Sequence, residues 1–444
     1  MLSIASLETR THPAFADAHN EGEFDERAES DVVMLREIRP RIKPREEIDI
    51  RNIPANVSFM SNSEAFLAIG KKLREVNDTL GTLQSLGIQH VAELPELVLV
   101  GDQSAGKSSI MSAIAGINLP RHTGVCTRCP IHIRSSRSVG SEWSCRITLQ
   151  QDYAFVPSTT PITARDVTPE NPFPPWVKQA RVVKEFVTIR ERMDSLESVL
   201  RWAQVAILNH NQNHERFIPR DTQMDDEYDA ARLSEAEEST DAKFSPNTVA
   251  LEIKGPELPD LSFYDLPGVF VQSRQSGTGY LVGVVQNLTR EYISHPGAII
   301  LWAVPMNADP EVSNTINLIC EMGAENRTLG VLTKADLLPK GNYENWTRIL
   351  DGTDLPTGLG YFVTSRPDKN DLDTQNAWEE AFFNSQACRS PPAETPVWPK
   401  EFHAFSNRCG VTALKEFLSR KLAEEFAKRL VSCLFACRLC LSTI

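Results

Sequence analysis

Hydrophobic residues along this chain follow two rhythms. Phe66, Ile69, Leu73, Val76, Leu80 and Leu83 step by three and four, which lays one apolar stripe along a helix that buries against a partner helix. From Leu97 onward, short apolar runs take over: Leu97–Val100, Ile131–Ile133, Arg146–Leu149, Val249–Ile253, Leu261–Tyr264, Ala298–Val304 and Thr328–Leu332. Runs of that length, bounded by turn residues, read as strands. Helical segments are expected between them at Ser109–Ile114, Val182–Leu208, the later part of 271–296 and Pro310–Met322. In Val182–Leu208 the inward positions would be Met193, Leu196, Val199, Leu200 and Val205. A last stripe of Val411, Leu414, Phe417, Leu418, Leu422, Phe426 and Leu430 returns to helical spacing.

Strand and helix in alternation predict an α/β fold, a mainly parallel central sheet flanked by helices. The expected organisation is a disordered acidic tail over 1–58, an amphipathic helix in 60–90 and the main domain over 91–400. A second amphipathic helix in 401–432 and an atypical tail over 433–444 follow. The stretch from about 135 to 245 is the least regular: Pro157–Pro175 reads as a loop and Asp225–Asp241 as a solvated acidic loop.

Composition narrows the function classes. The 444 residues carry a net charge of −13, which argues against a general nucleic-acid partner. Nine scattered cysteines suit a reducing compartment better than a disulfide framework. The first residues carry Glu8 and no long apolar core, so no secretory leader is read, and Leu430–Ile444 is too short to span a bilayer and is interrupted by Arg438. A cytoplasmic location is the expectation. Cys126-x-x-Cys129 has no second pair at zinc-site spacing and reads as two ordinary thiols.

The chemistry starts at Gly101-Asp102-Gln103-Ser104-Ala105-Gly106-Lys107-Ser108-Ser109, a strand-to-helix loop with the spacing of a phosphate-binding loop. Its backbone N–H groups would cradle a polyphosphate, Lys107 would neutralise β- and γ-phosphate oxygens and the Ser108 hydroxyl would hold Mg²⁺. Thr127, in the polar connection Asn118–Pro130, is the candidate to reach the metal and the γ-phosphate. Asp265-Leu266-Pro267-Gly268 ends a strand; Asp265 would contact Mg²⁺ and the Gly268 N–H would sense the γ-phosphate. Thr333-Lys334-Ala335-Asp336 ends another: a carboxylate accepts from guanine N1–H and its exocyclic amine, donors that adenine does not pair, and the Lys334 stem can lie along a purine. GTP is the nucleotide expected.

These segments resemble the dynamin superfamily of large GTPases, and within it the fungal Mx/dynamin-like group. The resemblance runs from about Phe66 to Leu430 and rests on Gly101–Ser109, Leu119–Pro130, Leu258–Gly268 and Thr328–Leu338. The resemblance implies that Gln103 and Ser104 place the attacking water and a monovalent cation, and that Thr127 also holds that water. It implies activation by docking of two GTPase faces, from a second copy or a dynamin-like relative. Membrane or organelle remodelling and microtubule binding are family outputs. Val269 stands where small GTPases carry a catalytic Gln. Thr364-Ser365-Arg366 corresponds to the last base-contacting loop, and the 66–83 and 411–430 stripes to a helical bundle beside the GTPase domain. Family members continue into a stalk, and Leu430–Cys440 does not read as the start of one. A premature end, a gene-model error or a specialised short form each fits that expectation.

Overall fold

A computed structural model describes residues 95–116, 127–138, 142–190, 196–219, 226–256, 258, 261–271, 277–339, 341, 343–366, 372–384 and 398–442. The strands are β1 (Glu96–Val100), β2 (Ile131–Arg137), β3 (Ser144–Phe155), β4 (Trp176–Ile189), β5 (Thr248–Gly255), β6 (Leu261–Asp265), β7 (Ala298–Pro305), β8 (Thr328–Thr333) and β9 (Tyr361–Val363). They form one sheet in the order β4-β3-β5-β2-β6-β1-β7-β8-β9. Strand β1 is parallel to β6 and β7, and β7 to β8, β8 to β9 and β2 to β5 likewise. The β2–β6, β3–β5 and β3–β4 pairs are antiparallel. The parallel half requires crossover helices, which is what the sequence pattern supplies.

The α-helices of the described residues are α1 (Lys107–Ala115), α2 (Leu196–Leu208), α3 (Asp226–Glu238), α4 (Leu281–Ser294), α5 (Asn314–Glu321), α6 (Tyr343–Leu350), α7 (Leu372–Phe383) and α8 (Val411–Ser442). Alternation along β1 separates two cores. Leu97 and Leu99 join Ile110, Met111 and Ile114 of α1 with Leu414, Leu418 and Leu422 of α8. Val98 and Val100 join Ile316 and Ile319 of α5 with Trp346 of α6. Around β1 the sheet is thus buried on both faces, and the loops at the carboxyl ends of its parallel strands are left to build a site.

Two sequence readings are corrected. Val182–Leu208 is not one helix: up to Ile189 it is β4, and α2 begins at Leu196. Val177, Val182, Val183, Val187 and Thr188 are β-branched and favour extended backbone. Val182 and Val183 pair with Gln151 and Gln150 yet are exposed on an edge strand, so no one-sided period announces the strand. The expected inward positions Leu196, Val199, Leu200 and Val205 are buried in α2, and Met193 lies outside the described residues. Asp225–Asp241 is not a loop, because α3 occupies most of it. Its alanines and glutamates are good helix formers, Leu233 is buried, and Arg201 of α2 grips Glu237 through two hydrogen bonds of 2.8 and 2.7 Å.

Pro310–Met322 divides into a 3-10 turn, Pro310–Val312, and α5. Helix α8 buries Val411, Leu414, Leu418 and Leu422 and continues to Ser442, through most of the expected tail. The 66–83 stripe, residues 1–58 and Cys126 lie outside the described residues, as do the side chains of Phe426 and Leu430. Cys129 is a buried free thiol. Among the described residues no helix is long and apolar enough to cross a membrane.

Candidate functional site

Register decides which residues meet. In the parallel β1–β6 pair Asp265 stands beside Leu99, two positions before Gly101; in the antiparallel β2–β6 pair it faces Ile131, four positions after Thr127. Chain segments more than a hundred residues apart are thereby delivered to one edge of the sheet. Parallel pairing of β7, β8 and β9 brings Thr333 beside Pro305 and Val363 beside Leu332, so the Thr333–Asp336 and Thr364–Arg366 loops leave the sheet together.

Between β1 and α1, Ser104 and Gly106 take left-handed backbone at φ 65° and 90°, which folds the loop back on itself. The Lys107 ammonium donates to the Gly101 and Asp102 carbonyls, both at 3.1 Å, so the cation is held inside the loop. Gln103 and Ser104 are exposed, Ala105 is buried, and the Ser109 N–H closes the first helical turn on the Gly106 carbonyl at 3.1 Å. The Gln103 N–H donates to the Val269 carbonyl at 2.9 Å, joining this loop to the one after Asp265.

The three expected metal-binding residues converge. The Ser108 and Thr127 hydroxyls donate to Asp265 Oδ2 at 3.3 and 3.1 Å. Asp265 Oδ1 is buried with no hydrogen-bond partner among the described residues. Burial pushes the Asp265 carboxyl up to about 6, against the lowering pull of Lys107 and of the Thr127 and Ser108 hydrogen bonds. A buried carboxylate oxygen with hydroxyls beside it suits a hard divalent cation, which takes oxygen ligands. Gly268 is required by proximity: a Cβ there would lie 2.9 Å from both Gln103 Cα and Lys107 Nζ.

At the loop expected to contact the base, Lys334 takes φ 56°, an uncommon conformation for a side-chain-bearing residue, and starts the 3-10 turn Ala335–Leu337 that carries Asp336. Ser365 is buried, its hydroxyl is hydrogen-bonded to Asp336 Oδ1, and the Asp336 N–H donates back to that hydroxyl at 3.2 Å. Thr364 is buried with its N–H on the Leu332 carbonyl at 2.7 Å, and Arg366 is half-buried at the end of the loop.

Two expected contact residues turn elsewhere. The Thr333 hydroxyl donates to the Ala105 carbonyl at 2.7 Å, so it fastens the phosphate loop. The Asp102 carboxylate accepts from the Asn314 and Thr315 N–H groups at 3.3 and 3.2 Å and from the Thr315 hydroxyl at 2.7 Å. Ser313, the residue before α5, makes no side-chain cap, and Asp102 supplies one from a remote loop.

Sequence reasoning missed the supports. Gln204 of α2 accepts the Arg128 N–H at 3.0 Å, the Ser245 N–H donates to the Arg128 carbonyl at 3.0 Å, and Arg128 itself donates to the Glu237 carbonyl at 2.7 Å. The irregular region therefore pins the residue next to Thr127. Glu379 of α7 accepts from the Ser365 N–H and the Val411 N–H. A glutamate on a helix carries no local signal of such a role; a buried Gln in an apolar helix face such as Gln204 carries a weak one.

Comparisons with known proteins place the chain in a family. The family model described as "Dynamin family" matches residues 97–335, just over half of the chain. An interferon-induced GTP-binding protein Mx of Perca fluviatilis is 27% identical over 322 residues, covering 71% of this chain and 86% of that protein. Interferon-induced GTP-binding protein Mx1 of Oncorhynchus mykiss is 25% identical over 362 residues, 81% of this chain and 47% of that protein. Mx1 of Mus musculus is 25% identical over 367 residues, 81% of this chain and 46% of that protein. The chain thus spans less than half the length of the trout and mouse proteins. With the family model's match over more than half of its length and the fold of a P-loop GTPase domain, the chain belongs to the dynamin family.

Proposed function

We propose that this chain is a GTPase that binds GTP with Mg²⁺ and hydrolyses it to GDP and phosphate by in-line attack of water. The observation that carries this reading is the convergence of Ser108 and Thr127 on one oxygen of Asp265, whose other oxygen is buried with no partner among the described residues. Ser108, Thr127 and Asp265 would hold the metal, which when bound neutralises charge on the β- and γ-phosphate oxygens. Lys107 serves the same oxygens from the loop, and the Gly268 N–H reports on the γ-phosphate. Asp336 accepts from the guanine edge, with Lys334 along the purine and Thr364, Ser365 and Arg366 bordering it.

Val269 is buried, so placing the water falls to Gln103, Ser104 and Thr127, with a monovalent cation at the loop. Gln103 and Ser104 are exposed, which fits completion of the site by docking against a second GTPase face. Coupling to membrane or organelle remodelling, or to microtubules, from a cytoplasmic or peripheral location is the family-level part of the proposal. The test is phosphate release by purified protein with Lys107→Ala as the control. No release above that control, even at high protein concentration, sinks hydrolysis, and ATP displacing GTP at equal concentration sinks the base assignment.

The exposure of Gln103 and Ser104 also favours a second reading, a GTP-binding protein of low intrinsic turnover that docks with longer dynamin-like relatives and modulates them. Unchanged assembly-stimulated turnover of such a relative on mixing counts against it.

A further inference from the structure

Glu379 lies on α7, outside every motif named above, and is 3% exposed. Its Oε1 accepts the Ser365 N–H at 2.9 Å, and its Oε2 accepts the N–H of Val411, the first residue of α8, at 2.7 Å. Gln375, one turn earlier on α7, donates to the Ser365 carbonyl at 3.5 Å. Both backbone groups of Ser365 are therefore held from α7, and the Ser365 hydroxyl is bonded to Asp336. Burying a carboxylate is unfavourable unless each oxygen is satisfied. A cap for α8 would need only one oxygen, and the second goes to the base loop. Asp336 itself sits on a three-residue 3-10 turn, which does little to orient its own carboxylate.

We propose that Glu379 is a positioning residue for base recognition: anchored on the Val411 N–H, it holds Ser365 and through it the Asp336 carboxylate that faces the guanine edge. This rests on the GTP reading above. Asp336 must meet two donors of one base at once, and the angle at which it does so is transmitted from α7.

The experiment, run at pH 8 where Glu379 is ionised, compares wild type and Glu379→Gln in equilibrium binding of GDP, inosine diphosphate and ADP, with kcat and KM for GTP. Inosine diphosphate keeps N1–H and lacks the exocyclic amine, so its ratio to GDP reads the amine half of the Asp336 contact. Glutamine has one acceptor oxygen, so one of the two N–H groups loses its partner. The expected result is GDP binding weakened roughly tenfold, as for loss of a hydrogen bond to a charged group. The GDP-over-inosine preference narrows, and KM rises while kcat changes by less than about twofold. Lower thermal stability with an unchanged preference makes Glu379 a helix cap only and overturns the proposal. Should Glu379→Gln fail to fold, Glu379→Asp, which keeps the charge but is one methylene too short to reach both amides, is read by the same ratio. A wild type that does not distinguish GDP from ADP overturns the GTP reading itself; one that does, with the ratio unmoved in the variants, overturns the positioning role alone.

Discussion

The Thr333 hydroxyl donates a 2.7 Å hydrogen bond to the Ala105 carbonyl, tying the end of β8 to a phosphate loop 228 residues earlier in the chain. Thr333 is buried, and a Cβ on the neighbouring Gly106 would come within 3.2 Å of it. The two loops are thereby fastened to each other. Thr333→Val keeps the shape and removes the donor, leaving a carbonyl without its partner. A loss of about 1–3 kcal/mol in stability is expected, with weaker binding of a fluorescent guanine nucleotide. Unchanged melting temperature and affinity would refute the coupling.

A methyl group at position 268 has nowhere to go, since Gln103 Cα and Lys107 Nζ both lie 2.9 Å from where its Cβ would be. Relief must come from the phosphate loop or from the turn after Asp265. Gly268→Ala is expected to retain the fold and to slow single-turnover hydrolysis about ten- to a hundredfold, the equivalent of 1–3 kcal/mol of overpacking. Wild-type rates in the variant would mean that the turn has room the geometry denies.

How far the sequence could be read depended on where each signal was stored. Residues 101–109, 265–268 and 333–336 were legible because each motif ends a buried apolar strand, and strand and loop are both local features. The convergence of Ser108 and Thr127 on Asp265 followed from strand order. The supports were not legible, because Asp102 caps a helix 212 residues away and Glu379 reaches an amide on a different helix. The β4 strand was hidden for another reason: its middle is exposed, with Val182 and Val183 both on the surface, and only Trp176, Phe186 and Ile189 at its ends are buried, so no alternation runs along it.

At Asp265 the proposed metal-binding role is set against stability. Burial holds its carboxyl at about 6, so at pH 8 the protein keeps an ionised group that its surroundings disfavour. Asp265→Asn removes that charge at nearly constant shape. Without nucleotide the variant is expected to be as stable as wild type or more so, by at most about 3 kcal/mol. With Mg²⁺ and GDP present, wild type gains melting temperature by linkage and loses that gain on chelation, while the variant shows neither change. A variant stabilised by Mg²⁺·GDP as strongly as wild type would remove Asp265 from the metal site.

Glu379 gives the pH dependence a definite sign. Burial pushes its carboxyl from 4.5 up to about 7, against hydrogen bonds from the Val411 and Ser365 amides and Gln375 and the nearby Lys415 ammonium; the Cys409 thiol also faces it. Between those two values the folded chain holds a proton that the unfolded chain has released. Stability therefore falls as pH rises from about 4.5 to about 7 and is level above, with a total contribution of at most about 3 kcal/mol. Other buried groups also titrate, with Glu96 pushed up to about 7 and His132 held down to about 3, so the diagnostic quantity is a difference. Denaturant unfolding of wild type and Glu379→Gln across pH 5 to 8 isolates it: the wild-type curve should lose stability relative to the variant as pH rises. A constant gap between the two curves would show that Glu379 does not titrate in this window.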